Sequence, residues 1–410
     1  MEAVRLFKLL DRDQRNTFVA CFLGWALDAF DFFLLTFVIV PMAREFGTSI
    51  AELSYAITLT LAMRPVGAFI FGLLGDRFGR RIPLMIDIIF YSAMELLTAF
   101  SPNYTWLLIF RALYGIGMGG EWGLGASLAM ETLPTAARGL FSGILQQGYA
   151  FGYLLAAVVY WAVFPFFGWR GLFVAGVLPA FLVIFIRARV PESPAWLRRR
   201  TAPTDFWKNV LTVVRRHWAL FLYVILLMTA FNAMSHGTQD MYQTFLGEQR
   251  HYGVTQKAAT GIIYAFGAIC GGTIVGHLSQ KWGRRRAIIF AAVFGILLIP
   301  VWVFSPSFSF LVIGGFAMQF MVQGAWGIVP VHLNELSPGE LRGTFPGFAY
   351  QLGNLLAANT AVVEAQLADH FRDASGHPDY AKALALFALV IFVALIVLAA
   401  IGREERGKEF

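Results

Sequence analysis

The chain has 410 residues, of which 58% are apolar and only 14% are charged, and its mean hydropathy is +0.64. About a quarter of the residues in soluble domains are charged, so a soluble fold of this chain could not cover its apolar surface. The net charge of +7 does not indicate nucleic acid, because the basic residues lie in short clusters between apolar runs, as in the loops of membrane proteins. Composition therefore predicts an integral membrane protein solvated by lipid.

No targeting segment or disulfide framework is expected. Residues 1–16 are strongly charged, and the apolar run that follows contains Asp28 and Asp31 and no small-residue cleavage site. We therefore predict no cleavable signal peptide. The two cysteines, Cys21 and Cys270, lie in separate apolar runs, so no disulfide framework is expected.

Twelve apolar segments are long enough to cross a bilayer, which takes about 20 helical residues. Only helices fit, because each backbone amide in lipid must be hydrogen-bonded within its own segment. The predicted fold class is all-α integral membrane, with an N-terminal six-helix bundle (1–189), a cytoplasmic linker (190–216) and a C-terminal six-helix bundle (217–410). The spans are predicted near 17–40, 51–74, 82–100, 105–130, 140–164, 170–189, 217–246, 257–279, 287–304, 308–332, 343–367 and 381–402.

The distribution of Lys and Arg predicts the orientation of the chain. One set of loops, which includes both chain ends, carries 24 of the 32 basic residues, and the opposite loops carry 6. The remaining two, Arg64 and Arg111, lie inside spans. Cytoplasmic loops are enriched in Lys and Arg, so we predict a multi-pass protein of the cell (inner) membrane with both termini in the cytoplasm.

The two halves of the chain repeat each other at an offset of 204 residues, without a gap over 80 residues. Two parallel repeats predict a pseudo-two-fold axis along the membrane normal, a binding site between the halves, and transport by alternating access. The aligned pairs include Gly79-Arg80-Arg81 with Gly283-Arg284-Arg285, Gly120-x-Trp122-Gly123 with Gly324-x-Trp326-Gly327, Glu131 with Glu335, and Gln147 with Gln351.

The loop between spans 2 and 3 resembles the signature loop of the major facilitator superfamily, and the resemblance covers nearly the whole chain. A sharp turn at Gly79, with Asp76 pairing across helix ends, would latch one conformation; Gln280 replaces Asp76 in the second copy, which predicts a weaker latch there. The alternative is that the cations of this loop only set topology. The predicted latch residues are Gly72, Asp76, Arg77, Gly79, Arg80 and Arg81.

Patterns of nucleotide or metal chemistry are not found in the sequence. The run Gly115-x-Gly117-x-x-Gly120 matches a dinucleotide fingerprint formally, but it lies within a predicted helix, so we interpret it as helix packing. There is no Walker A motif and no metal-ligand His pair in the sequence. We therefore predict no cofactor, no metal and no enzymatic activity.

Span 7 carries a dense polar pattern that resembles the signature of Jen-type lactate and pyruvate permeases, within the sialate:proton symporter family. The resemblance implies proton-coupled import of short monocarboxylates, with a small organic anion and a proton as partners. The residues alone indicate only a secondary transporter of an anion, and we expect the monomer to be the functional unit. The pattern runs Asn232-Ala-Met-Ser235-His236-Gly-Thr238-Gln239-Asp240-Met-Tyr-Gln-Thr244.

Arg64 is the predicted carboxylate-binding residue. It lies at mid-depth in span 2, just before Pro65, where an ionised side chain costs about 2.5–3.5 kcal/mol and so faces a wet cavity or a partner. Its planar guanidinium can hold a carboxylate through two hydrogen bonds, and the family resemblance implies the same role. The alternative is a structural ion pair with Asp28 or Asp31.

Titratable residues of spans 1, 4 and 7 are the candidates for proton coupling. Asn232, His236 and Asp240 form one stripe at i, i+4 and i+8, and the alternative is a hydrogen-bonded stripe that braces the span. Asn232 matches Asp28 at the repeat offset and is predicted to bind substrate. We predict Asp240 as the proton carrier, His236 as its relay and Asp28 as the counter-charge of Arg64. The whole coupling set is Asp28, Asp31, His236, Asp240 and Glu121, the last as a second proton site or a partner of Arg111.

Neutral amides of spans 5 and 11 are predicted to orient a hydroxyl or keto group of the substrate. These are Gln351, Asn354 and Gln147, and the alternative for them is a polar contact between helices. Three other ionisable residues are assigned elsewhere: Arg111 to packing or gating, and Glu95 and Glu364 to the lipid interface or to structure.

Three alternatives to monocarboxylate:proton symport remain open. A larger acid such as sialate would need a wider cavity, whereas Phe231, Met234 and Met241 favour a small substrate. A transporter-like sensor would carry a long cytoplasmic extension, and the extensions beside the spans are short. A membrane enzyme would need a nucleophile–base set that the sequence does not show.

Overall fold

The computed structural model describes residues 2–199, 206–372 and 376–410, which are mostly helical. We label the twelve main helices α1 to α12; several of them contain a break. Shorter helices lie at Glu2–Leu9, Pro194–Arg199, Tyr242–Thr244, Phe245–Gln249 (π) and Gly339–Leu341 (3₁₀). The main helices are α1, Arg12–Phe46; α2, Ile50–Phe78; α3, Arg81–Ala99; α4, Tyr104–Thr132; α5, Arg138–Gln146 and 148–167; α6, 169–175 and Leu178–Arg189; α7, Phe206–Gln239; α8, Val254–Trp282; α9, Arg284–Val303; α10, Phe308–Trp326 and Val329–Leu336; α11, Phe345–Leu356 and Thr360–His370; and α12, Tyr380–Ile401.

Nine helical stretches of the described chain are long and apolar enough to cross a membrane. One of them, Arg138–Arg189, has 52 residues and folds back at Gly168. That residue has a φ of 61°, which glycine adopts without strain because it lacks a Cβ. The nine stretches contain ten of the main helices, because Arg138–Arg189 includes both α5 and α6. The other two are α4, which is rich in glycine, and α11, which is interrupted at residues 357–359. The helices thus follow the order of the twelve predicted spans.

Helix ends follow local sequence signals. Asp11 and Ser49 begin α1 and α2 by exchanging hydrogen bonds with the third residue of each helix, which satisfies two otherwise free amides. The equivalent turns α2–α3 and α8–α9 contain Gly79 and Gly283, both with a φ of 96°. This conformation strains any residue with a Cβ, so a glycine is required at each turn.

The repeat is visible as a matched pair of buried ion pairs. In the first half, Arg80 donates to Glu131 from Nε at 3.2 Å and from Nη2 at 3.0 Å. In the second half, Arg284 donates to Glu335 at 2.9 and 3.0 Å. Each ion pair joins the turn after one helix to a neighbouring helix, so both halves contain the same internal brace.

The helix that contains the polar pattern differs from its predicted bounds. α7 begins at Phe206, bends at His217 and ends at Gln239, whereas the span was predicted near 217–246. The early start falls within the predicted linker 190–216, because residues 207–216 combine cations with apolar residues in an amphipathic helix. Residues 200–205 of that linker lie outside the described residues. The domain boundaries stay a prediction.

Candidate functional site

The two halves meet on the side of the molecule where α1 begins and α12 ends, which we call the terminus side. The Ser127 hydroxyl donates to the Arg342 carbonyl at 2.7 Å, and the Ser142 hydroxyl donates to the Gly327 carbonyl at 2.8 Å. In the described part of the chain, the hydrogen bonds between the halves lie on this side or at mid-depth. The space between the halves is therefore closed on the terminus side and opens to the opposite side.

Arg64 lies in α2 at the bottom of this space and is 3% exposed. Its guanidinium interacts with the Tyr350 hydroxyl of the other half, while Nε and Nη2 have no hydrogen-bond partner among the described residues. These two nitrogens form the edge that holds a carboxylate through parallel hydrogen bonds. The alternative, a structural ion pair with Asp28 or Asp31, is not seen among the described residues, since the carboxyl oxygens of both also lack hydrogen-bond partners there.

Aromatic residues form the floor beneath Arg64. The Tyr350 ring lies 4.7 Å from the Trp122 ring and 5.6 Å from the Trp326 ring, and Phe231 lies 5.5 Å from Trp326. Trp122 and Trp326 are equivalent in the repeat, and the Trp326 Nε1–H has no acceptor in the described residues. The Trp326 indole N–H is therefore a donor available to a ligand that accepts hydrogen bonds.

The polar pattern of α7 contributes a connected group of side chains. His236 Nδ1 lies 3.0 Å from Asp240 Oδ2, and His236 Nε2 lies 3.4 Å from Asn354 Oδ1 of α11. The side chains of His236 and Asp240 are each 40% exposed. Because α7 ends at Gln239, Asp240 lies in a turn at the helix end, whereas the predicted span 217–246 would have continued through it as a helix. The His236–Asp240 pair is thus accessible from the open side.

The other predicted amides are placed differently. Gln351 is 1% exposed and neither atom of its amide has a partner among the described residues. Gln147 lies at the break of α5, over Gly272, and donates weakly to the Gly143 carbonyl at 3.5 Å. Asn232 donates to the Met228 carbonyl of its own helix at 2.8 Å. Gln351 therefore has the most unused hydrogen-bonding capacity of the three.

The ion pair of α4 differs from the prediction. Arg111 donates to Glu95 of α3 at 2.6 Å, and both side chains are fully buried. Arg111 thus pairs with Glu95 and not with Glu121, and Glu95 faces the interior of the bundle instead of the lipid interface. Asp31 lies close to Glu95. A Cβ built at Gly176 would be 3.1 Å from Asp31 Oδ1 and 2.5 Å from Glu95 Cγ.

Two further acids, one of which was not singled out in the sequence, are buried inside the bundles. Glu364 of α11 is 1% exposed, without a hydrogen-bond partner in the described residues, and its Oε1 would lie 3.3 Å from a Cβ at Gly237. It faces α7 and not the lipid interface. Asp87 of α3 is fully buried, and neither of its carboxyl oxygens has a hydrogen-bond partner among the described residues. The signal for Asp87 was available, since it is an ionisable residue inside the predicted span 82–100.

The predicted latch residues converge at the α2–α3 turn. Asp76 accepts hydrogen bonds from the Gly343 amide at 2.7 Å, the Thr344 amide at 2.9 Å and the Thr344 hydroxyl at 2.6 Å, and from Arg80 at 2.8 Å. Gly72 is required for this approach, because a Cβ there would lie 2.6 Å from the Thr344 Cα. The helix dipole stabilises a negative charge at the start of a helix. The Asp76 carboxylate therefore links the first half of the chain to the start of α11.

The remaining latch residues hold the turn itself. The amides of Arg80 and Arg81 donate to the Glu192 carboxylate at 2.8 and 3.1 Å. A Cβ at Gly79 would lie 2.3 Å from Glu192 Oε2. Arg77 stacks on Phe78 with its guanidinium carbon 5.0 Å from the ring centre.

The equivalent position in the second half makes fewer contacts. Gln280 accepts from the Gly139 amide at 3.3 Å and donates to the Thr135 carbonyl at 3.0 Å. A neutral amide forms weaker hydrogen bonds than a carboxylate. We therefore expect Asp76→Asn to favour opening of the terminus side by about 10- to 100-fold, the equivalent of about 1.5–3 kcal/mol for one charge-assisted hydrogen bond.

The measurement is the labelling rate of a reporter cysteine. Ser142→Cys, in a chain that also carries Cys21→Ser and Cys270→Ser, places a thiol in the closed contact between the halves. Asp76→Asn should raise its labelling rate, and Gln280→Ala should raise it less. Equal rates in all three chains would show that Asp76 does not hold this side closed.

Comparison with known proteins shows relatives over nearly the whole chain. A carboxylic acid transporter protein homolog of Saccharomyces cerevisiae is 31% identical, over 95% of this chain and 68% of its own length. A probable 4-methylmuconolactone transporter of Cupriavidus pinatubonensis is 30% identical, over 98% and 93% of the two chains. The sialic acid transporter NanX of Escherichia coli is 25% identical, over 99% and 98%.

The fold is shared with a solved structure of the proton:xylose symporter XylE, at a TM-score of 0.76 and 18% identity over 97% of both chains. This likeness concerns the fold alone and confirms the predicted all-α, twelve-helix architecture. The sequence profile of the Major Facilitator Superfamily matches residues 21–361 and, in a second match, residues 227–409. The chain is therefore a multi-pass membrane protein that belongs to the Major Facilitator Superfamily.

Proposed function

We propose that this chain is a secondary transporter of organic acids and, more narrowly, a proton-coupled symporter of short monocarboxylates such as lactate and pyruvate. The observation that carries the proposal is the unpaired Nε–Nη2 edge of Arg64 at the bottom of the open space between the halves. A desolvated carboxylate needs such a cation. The relatives named for carboxylic acids, a muconolactone and sialic acid support an organic acid as the substrate.

We propose that the terminus side faces the cytoplasm of an inner membrane, as the excess of basic residues on that side favours. The described conformation is then open to the outside, and transport requires the contacts around Asp76 and Ser142 to separate while others form on the opposite side. Nothing in this cycle needs a second copy, so we propose that the monomer surrounded by lipid is the functional unit.

Counterflow in proteoliposomes tests the proposal directly. Vesicles loaded with unlabelled lactate should accumulate external labelled lactate transiently, and pyruvate inside should serve equally well. Labelled sialic acid is the matched comparison, because NanX makes a larger acid the second candidate. The floor formed by Tyr350, Trp122 and Trp326 favours the smaller acid. Counterflow of sialic acid without counterflow of lactate would refute the proposal, and counterflow of neither would favour a non-transporting sensor.

The amides of α11 should select among acids more than they supply affinity. A neutral hydrogen bond contributes about 0.5–1.5 kcal/mol, less than a contact with Arg64. We expect Gln351→Ala and Asn354→Ala to change the ratio of lactate to pyruvate transport by up to about tenfold while transport persists. Asn359→Ala, an exposed amide in the break of the same helix, is the control. Unchanged ratios in both test variants would exclude these amides from selection.

A further inference from the structure

Asp87 lies inside the N-terminal bundle and has no role in the site described so far. It is fully buried in α3, and neither carboxyl oxygen has a hydrogen-bond partner among the described residues. Six residues separate it from Arg81 at the helix start, so it lies about 9 Å from the terminus-side end of α3. An unpaired carboxylate at such a depth is costly, so Asp87 holds a proton in this conformation.

Two other carboxyl groups interact electrostatically with Asp87, namely Glu121 of α4 and Asp28 of α1. Both are fully buried, and their oxygens also lack hydrogen-bond partners in the described part of the chain. Arg64 of α2 acts on both of these groups, and Arg111 of α4, which also acts on Asp28, is already paired with Glu95. Because Arg64 supplies one positive charge for Asp28 and Glu121, and Asp87 has no hydrogen-bonded cation among the described residues, the apolar interior favours the protonated form of at least two of the three carboxyl groups.

The remaining helices around Asp87 add no nearby cation that the structure identifies. α5 carries tyrosines and no Lys, Arg, Asp or Glu between residues 148 and 167. The cations of α6, Arg187 and Arg189, are exposed at the terminus side. Asp87 itself therefore faces carboxyl groups and, one turn further along α3, Tyr91.

Two features place hydrogen-bonding capacity and free space beside these carboxyl groups. The Tyr91 hydroxyl is fully buried, has no partner in the described residues and interacts electrostatically with Asp28 and Glu121. On the other side, α1 has a glycine where Glu121 approaches: a Cβ at Gly24 would lie 2.3 Å from Glu121 Oε1. A hydroxyl that can donate and accept, next to carboxyl groups with free oxygens, is a proton-transfer arrangement.

We propose that Asp87 is the inner proton-release site of the symporter. The inference rests on the proposed function, and it adds a residue on α3 to the coupling pathway. A proton enters from the open side near His236 and Asp240 and reaches Asp28 or Glu121, which face Arg64. When the substrate carboxylate occupies Arg64, Asp28 loses its counter-charge and retains its proton. On opening to the terminus side, the O–H bond of Asp87 breaks and its proton passes to water; the O–H bond of Glu121 or Asp28 then breaks while a new O–H bond forms at Asp87, which returns to its neutral form.

The depths of the carboxyl groups agree with this direction of transfer. Glu121 is eleven residues from Thr132 at the end of α4, about 16 Å from the terminus-side end, whereas Asp87 is only about 9 Å from it. Asp87 is therefore the carboxyl group of this cluster closest to the side that must receive the proton.

The test is Asp87→Asn in proteoliposomes, with two assays on the same vesicles. Counterflow at equal pH does not require net proton release, so it should stay within about twofold of the parent. Accumulation of lactate driven by a pH gradient should fall at least tenfold. Ser92→Ala, which removes another buried polar group of α3, should keep both activities. Parental accumulation by Asp87→Asn would overturn the inference.

A second variant distinguishes loss of proton release from misfolding of Asp87→Asn. Asp87→Glu keeps a titratable group and should restore gradient-driven accumulation, with its pH profile shifted from that of the parent. If both Asp87 variants lose counterflow and accumulation together while Ser92→Ala keeps both, Asp87 is structural and the inference is wrong. Failure of the parent chain to transport any acid would instead refute the proposed function.

Discussion

Arg64→Lys is expected to lose at least tenfold in affinity for lactate although the positive charge is kept. In the structure, the guanidinium interacts with the Tyr350 hydroxyl, and its Nε–Nη2 edge has no hydrogen-bond partner among the described residues. The ammonium group of a lysine cannot contact the Tyr350 hydroxyl and also hold the substrate carboxylate through two parallel hydrogen bonds. Loss of one charge-assisted hydrogen bond costs about 1.5–3 kcal/mol, equivalent to about 10- to 100-fold in the dissociation constant. Arg64→Ala should abolish measurable binding.

Equilibrium binding to purified protein checks this result without the complication of transport rates. Arg170→Lys is the matched control, because Arg170 is an exposed cation on the open side that pairs with Glu45. It should bind lactate as the parent does. Tyr350→Phe frees the third nitrogen of Arg64 and should weaken binding only a few-fold. Retention of lactate affinity by Arg64→Ala would place the substrate carboxylate elsewhere.

Lactate uptake is expected to be driven by the pH gradient and to be independent of the membrane potential. One monocarboxylate anion and one proton carry no net charge together. A single net charge would be worth about 2.3 kcal/mol per 100 mV, or about 50-fold in accumulation, so the two cases are easily separated. We expect about tenfold accumulation for a gradient of one pH unit and none for an imposed potential alone. Accumulation by potential, or a sodium requirement at fixed pH, would contradict electroneutral proton symport.

Asp240→Asn should abolish the uptake driven by a pH gradient, while exchange of bound substrate persists in part. The Asp240 carboxylate pairs with His236 at 3.0 Å on the open side, where both are 40% exposed. The amide cannot take up a proton from outside. Asp369→Asn, an exposed acid that pairs with Arg372, is the control and should accumulate lactate normally. Full accumulation by Asp240→Asn would remove it from the coupling pathway.

Much of the candidate site depends on contacts that periodicity does not reveal. The sequence placed Arg64 at mid-depth, but the partner of its guanidinium is Tyr350, which comes from the other half of the chain. The Arg111–Glu95 pair is a similar case: depth alone left Arg111 open to Glu121, and only the packing of α3 against α4 selects Glu95. For Glu364 the lipid interface and a structural role both stayed open, because a helical pattern does not show which face meets another helix.

The sequence by itself determined the number and order of the helices, the all-α class and the internal repeat, because lipid requires long apolar segments with internally bonded backbones. It also determined the glycine turns at Gly79 and Gly283, since their backbone conformation strains other residues. Only the tertiary structure decided which side is closed and which buried charges share partners. Those properties depend on contacts between helices, such as Asp76 with Thr344 and Arg111 with Glu95, and local patterns carry no information about the distances between helices.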